Sequence, residues 1–253
     1  MVRGFYSAAS GVFSQQKVFN TTANNIANAS TAGYKNQVTV QSSFGDHLVN
    51  RLGGESGQME NRVGPGSFIT VNPELKTDFS QGAIQETGRS VDLAIEGRGF
   101  FLVENSSGEE VLTRNGQFRI DDEGHLSLQG VGKVLGDNRQ PIEISKDTFQ
   151  VDAGGTITVD GKNAGKLFIA GGADEDQLTS RDNGIFTREG AIQKEDEKVY
   201  SLIQGALEKS NMDISAEMSR IIAGQNRYNS CSQVLKIYDK INEIAANQIG
   251  RLG

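Results

Sequence analysis

The groups best suited to chemistry are few. The 253-residue chain holds two histidines, His47 and His125, and one cysteine, Cys231. Zinc requires several His, Cys or carboxylate ligands at close spacing, and a nucleophile requires an adjacent base. The histidines and the cysteine form no cluster with zinc-ligand spacing, and no set of nucleophile, histidine and carboxylate suggests itself, so each histidine reads as a satisfied or exposed side chain. Gly97-Arg98-Gly99 starts like a dinucleotide loop, but it precedes a strand-like run and has Leu102 where the third glycine belongs. Gly155 to Gly161-Lys162-Asn163 has the wrong spacing for a phosphate loop and no Ser or Thr after the lysine. Both read as hairpin turns. Asp174-Glu175-Asp176 has the charge to attract calcium but lacks the glycine and terminal glutamate of an EF-hand loop, so it reads as a solvated acidic turn. Cys231 rules out an intramolecular disulfide and reads as a small buried residue beside Tyr228 and Ser232. These residues predict no catalytic centre, no metal and no cofactor.

The composition narrows the partners as well. A net charge of −7 with no basic block leaves no electrostatic footprint for nucleic acid or anionic lipid. No run approaches the roughly 18 apolar residues that span a bilayer, so no membrane insertion is expected. The start, Met1-Val2-Arg3-Gly4, lacks the apolar core and cleavage site of a secretory signal, so any export is expected to follow another route. With 31 glycines, 3 prolines and 36% hydrophobic residues, the chain predicts one middle-sized, turn-rich core with extended elements around it.

The periodicity of the chain changes along its length. Near the N-terminus, Phe5, Ala9, Val12, Gln16, Phe19, Ala23 and Ile26 follow a 4-3 spacing, as do Ile214, Met218, Ile221, Gln225, Tyr228, Ser232 and Leu235 near the C-terminus. Each set predicts a helix with one narrow stripe and no neighbour in sequence to bury it, so the two ends are expected to pair as a coiled coil. Residues 1–34 form the first of these segments, with Gly33 expected to close the helix. Residues 205–253 form the second, with Ser210 or Asn211 as N-cap and Asp213 in the first turn. The N-terminal helix is intrinsically weak, because Thr21, Thr22, Asn24, Asn25 and Asn28 are poor helix formers. Between 77 and 204 the period falls to two, in runs such as Val91–Ile95, Phe100–Val103, Val111–Thr113 and Phe118–Ile120, with Asn115-Gly116 and Asp160-Gly161 as turn signals. The predicted fold is α+β: terminal helices in a coiled-coil domain around a mostly antiparallel all-β domain. Residues 35–76, broken by Gly53-Gly54, Gly64-Pro65-Gly66 and Asn72-Pro73, read equally as a flexible linker or as an arm that orders against neighbouring subunits.

Three segments also carry a resemblance. Ala23-Asn24-Asn25-Ile26-Ala27-Asn28-Ala29-Ser30-Thr31-Ala32-Gly33-Tyr34-Lys35 resembles the signature near the N-terminus of bacterial flagellar rod and hook proteins. Ser90 to Phe101 with Thr113 to Phe118 is similar to the β domain of that family, and Gly205 to Asp213 with Glu217-Met218 and Gln225 to Tyr228 is similar to its C-terminal segment. The resemblance implies a non-catalytic structural subunit of the flagellar basal body, proximal or distal rod by length. Such a subunit is exported by the flagellar type III apparatus and polymerised helically into the torque-transmitting hollow rod. Its partners would be copies of itself, other rod and hook-basal body subunits and the export apparatus. The competing reading is a non-polymerising cell-surface binding module or adhesin.

The assembly surface expected on this basis comprises Phe5, Val12, Gln16, Phe19, Asn24, Asn25, Ile26 and Asn28 at one end, and Ile214, Met218, Ile221, Gln225, Tyr228 and Leu235 at the other. If Gln16 and Gln225 face each other, their amides would fix register at some cost in stability, as single polar seam residues do; the alternative is that each lies on a wet face. Helices that order only on docking would favour addition at a growing end.

Overall fold

The computed structural model describes residues 2–43, 70–144, 149–171, 178–181, 184–188 and 190–249. The chain divides into two compact units. One draws on Met1–Ile26, Gln37–Lys76 and Asp213–Gly253, the other on Ala27–Asn36 and Thr77–Met212. Among the described residues, helices occur only towards the two ends, around a mostly antiparallel β region, so the fold is α+β.

The first unit contains helix α1 (Val2–Ala27), helix α2 (Ile214–Ile249) and a two-stranded sheet of β1 (Gln37–Ser43) and β2 (Thr70–Thr77). The weak formers of α1 are partly satisfied on the helix itself, as Thr21 donates its hydroxyl to the Lys17 carbonyl at 3.0 Å. The N-cap of α2 is Asp213, not Ser210 or Asn211: its Oδ1 accepts the Ser215 and Ala216 amides at 2.8 and 3.4 Å.

The two helices meet through small residues. A Cβ built on Gly4 would fall 2.0 Å from the Tyr238 hydroxyl, and one on Gly11 would fall 3.0 Å from the Cys231 sulfur. Position 4 therefore lies against 238 and 11 against 231, so the helices run antiparallel. The buried or half-buried stripe of α1 is Gly4, Ala8, Gly11, Gln15, Val18, Thr22 and Asn25, one position before the stripe that the spacing suggests. On α2, Ile221, Ser232 and Leu235 are half-buried, and Glu217, Gly224, Cys231 and Tyr238 accompany them, while Met218 and Gln225 are exposed. Adjacent heptad stripes share one period, so spacing cannot choose between them. Close approach favours the stripe with the smaller side chains.

The second unit is built around β5 (Phe100–Asn105). One edge of β5 pairs with β6 (Glu110–Thr113); the other pairs with β13 (Ile169–Gly171) at its start and β9 (Gly132–Val134) at its end. Sheet partners continue through β15 (Ile185–Arg188) and β14 (Leu178–Ser180) on one side, and through β8 (Leu126–Leu128) and β7 (Phe118–Ile120) on the other. The uninterrupted apolar run of β5 has a simple cause. Phe101 and Val103 enter one core with Leu93, Ile95, Phe118 and Leu126, while Leu102 enters a second with Leu112, Leu135 and Phe186, against which Phe100 packs. Successive side chains point to opposite faces, and here both faces are dry. Smaller sheets pair β4 (Leu93–Gly97) with β17 (Tyr200–Gln204), β3 (Ile84–Glu86) with β18 (Ala206–Glu208), and β10 (Phe149–Val151) through β11 (Thr156–Val159) to β12 (Lys162–Lys166).

The turn signals divide in their outcome. Asp160 and Gly161, at φ 51° and 77°, join β11 to β12 as the Asp-Gly pair predicts. Asn115-Gly116 does not close a hairpin, because β6 and β7 are not paired. A Cβ on Gly116 would sit 1.6 Å from the Leu93 carbonyl oxygen, and its own carbonyl accepts the Leu93 amide at 3.1 Å. Here glycine permits a close backbone approach. Gly205 does not lead into helix; the chain continues as β18 and turns helical only at Ile214.

Candidate functional site

The expected assembly residues fall into three groups. Phe5, Gln16, Phe19 and Asn24 on α1, and Ile214, Met218, Gln225 and Tyr228 on α2, are exposed. Val12, Ile26, Asn28, Ile221 and Leu235 are half-buried, and Asn25 is buried. Gln16 and Gln225 line one groove of about 290 Å³ with Gln15, Phe19, Asn20, Gly224 and Tyr228, and no charged group borders it. The structure adds exposed apolar side chains that the spacing missed: Tyr6 and Phe13 on α1, and Ile222, Val234, Ile237 and Ile244 on α2. They lie off the single stripe that the period picks out. Their signal was their number, more than one seam can bury.

Asn25 has another role. It is 1% exposed. Its Oδ1 accepts the Gln37 amide at 3.1 Å, and its Nδ2 donates to the Gln37 carbonyl at 2.8 Å and to Glu217 Oε2 at 3.4 Å. The carboxamide thus pairs with the backbone as a neighbouring strand would, holding the first residue of β1 beside α1. Arg220 donates to the other oxygen of Glu217, which is itself buried.

The β unit has its own buried polar junction. Lys35, Arg114 and Glu208 are almost completely enclosed. Glu208 accepts from Lys35 Nζ at 2.6 Å, Arg114 Nη1 at 3.1 Å and the Gly82 amide at 2.9 Å. Lys35 also donates to the Ser80 carbonyl at 2.8 Å, and Arg114 to the Ile95 and Gly97 carbonyls at 3.3 and 2.7 Å. The Arg114 guanidinium lies over the Phe100 ring, 5.3 Å from its centroid. Burial pushes the Lys35 ammonium below its ordinary range, against the opposing pull of Glu208, and the nearby Arg114 charge adds to the depression.

Gly33 belongs to this junction and not to a helix end. α1 stops at Ala27, while Gly33, at φ 67°, donates its amide to the Glu208 carbonyl at 2.7 Å. A Cβ there would lie 2.2 Å from the Arg114 backbone carbon.

Elsewhere the chemistry is sparse. His47 and Asp174-Glu175-Asp176 lie outside the described residues. His125 Nδ1 lies 3.7 Å from Asp121 and 3.6 Å from Glu123, a grouping whose ligand atoms lie within 4.8 Å of one another. The turn accounts for these acids without an ion: Asp121 accepts the amides of His125 and Glu123, and Lys133 caps Glu123. The His125 amide bond to Asp121 is also the chief reason why that carboxyl titrates below the usual range. Cys231 is half-buried against Gly11.

Three family models match in chain order. Residues 5–35 match the flagella basal body rod protein model, residues 94–159 the flagellar hook protein FlgE/F/G D1 domain, and residues 203–249 the flagellar basal body rod FlgEFG protein C-terminal model. Among similar proteins, the flagellar basal-body rod protein FlgG of Borreliella burgdorferi is 30% identical, over 98% of each chain. FlgG of Bacillus subtilis is 30% identical over 98% of this chain and 99% of its own. The flagellar hook-basal body complex protein FlhO of Bacillus subtilis is 28% identical over the whole of both.

Proposed function

We propose a mode of assembly from one premise: this chain belongs to the flagellar basal-body rod protein family. It is a structural, non-enzymatic subunit of the rod in the flagellar basal body. The observation that supports the assembly mode is the concentration of exposed apolar side chains on α1 and α2. The surface comprises the exposed residues Phe5, Phe19, Ile214, Met218 and Tyr228 with their neighbours Tyr6, Phe13, Ile222 and Ile237, and it is covered by other rod and hook-basal body subunits in the polymer. The two helices act as an antiparallel coiled coil whose small seam lets bulky side chains point outward. Gln16 and Gln225 border the groove that receives a neighbour, and so serve partner choice. Export proceeds through the flagellar type III apparatus with the helices unpaired.

Phe13 is 72% exposed, so covering it in the polymer contributes about 1–2 kcal/mol per subunit, and a carboxylate placed there would have to be desolvated. Phe13→Asp and Ile237→Asp are expected to abolish polymerisation, seen by sedimentation and electron microscopy, with the melting of the β unit unchanged. Polymerisation of both variants at wild-type concentration would remove the helix faces from the mechanism.

A further inference from the structure

The buried charges of this junction do not balance among themselves. Two cations, Lys35 and Arg114, share one anion, Glu208, and the three come from distant parts of the chain. Lys35 is on the loop after α1, Arg114 lies between β6 and β7, and Glu208 ends β18. The chain passes from one unit to the other after 26, 36, 76 and 212, and within the β unit the segments near the last three of these points are stitched together. Gly33 donates to the Glu208 carbonyl at 2.7 Å, and Lys209 donates to the Ala83 carbonyl at 2.9 Å. Asn211 accepts the Asn36 amide at 2.8 Å and donates to the Asp78 and Ser80 carbonyls at 2.8 and 3.1 Å.

Charge counting gives this junction a direction. With β18 in place and the Lys35 loop undocked, Glu208 and Arg114 still form a balanced, hydrogen-bonded pair. With the loop docked and β18 absent, two buried cations face one another with no anion, which costs far more than the loop's remaining bonds return.

We propose that the Lys35–Glu208–Arg114 triad is a completion latch: the loop carrying Gly33, Tyr34 and Lys35 docks on the β unit only after the strand carrying Glu208 has docked. Because a chain emerges N-terminus first, the loop at residues 33–36 must wait until residue 208, four-fifths of the way along, has arrived. Tyr34 is buried in the docked loop, so an incomplete chain holds this segment out of the core.

Hydrogen exchange on the full-length protein tests the direction of the coupling. Glu208→Gln is expected to speed exchange of the Gly33 and Asn36 amides at least tenfold, while the β5 amides stay within threefold of wild type. Lys35→Met is expected to leave the Gly82 and Lys209 amides within threefold, because β18 keeps its partner Arg114. If Glu208→Gln unfolds the whole unit, adding Lys35→Met to it is expected to restore folding by removing one of the two unpaired cations. Wild-type protection of Gly33 and Asn36 in Glu208→Gln would overturn the latch. So would loss of protection at Lys209 in Lys35→Met equal to that at Gly33 in Glu208→Gln, or failure of the double variant to recover a globally unfolded single one.

Discussion

Asn25→Leu separates two roles that a buried signature residue can have. The side chains are close in volume, so the substitution removes polar atoms without opening a cavity. At least three hydrogen bonds are lost: two to the Gln37 backbone and one to Glu217. At about 1 kcal/mol each, the bonds account for about 3 kcal/mol. The Gln37 amide and carbonyl, which lose this partner, add about 1–3 kcal/mol, held to the low end because Gln37 is half-buried and reaches some water. Glu217 keeps Arg220, so its charge is not orphaned. The expected loss is about 4 kcal/mol, confined to the unit that contains α1, α2 and β1. Hydrogen exchange on assembled filaments reads it directly. The Gln37 and Val38 amides should exchange several hundredfold faster than wild type, a factor of ten for each 1.4 kcal/mol, while β5 is unmoved. If Asn25 instead lay on a surface between subunits, Asn25→Leu would weaken assembly and leave these amides protected within each assembled chain. That pattern would refute the clamp.

Other outcomes follow from the same geometry. Gly33→Ala should lower the melting temperature of the β unit by about 10 °C or more, since it meets both a positive φ and a backbone carbon 2.2 Å away; a shift below 2 °C by calorimetry would contradict the close approach. Lys35 titrates below its ordinary 10.5 in the folded state, so between its lowered pKa and 10.5 the unfolded chain holds a proton that the folded chain has released. Stability from this group therefore rises with pH across that window and is lost as pH falls through the folded pKa. Denaturant titrations as pH rises towards 10.5 should show this rise in the wild type and its absence in Lys35→Met. Gly11→Leu should disrupt α1 and α2 by driving a branched side chain into Cys231, and a substantial part of the lost helicity should return when Cys231→Gly is added, as measured by circular dichroism of filaments.

The sequence by itself determined the kinds of element and their order. Heptad spacing at the ends and period two in the middle are local properties of the chain, set by side-chain geometry on a helix or strand, and both survive in the structure. Tertiary structure decided what spacing cannot encode. Two adjacent heptad stripes on α1 have the same period, and only the fit of Gly4 and Gly11 against Tyr238 and Cys231 selects the inner one, leaving Phe5 and Phe19 exposed. Asn25 and Gly33 stand out in the sequence as signature residues, but their work depends on Gln37, Arg114 and Glu208, and no local rule pairs residue 33 or 35 with residue 208. The charge of a buried triad is a sum over three distant segments. Desolvation makes that sum costly only once they meet, so the folded chain alone sets it.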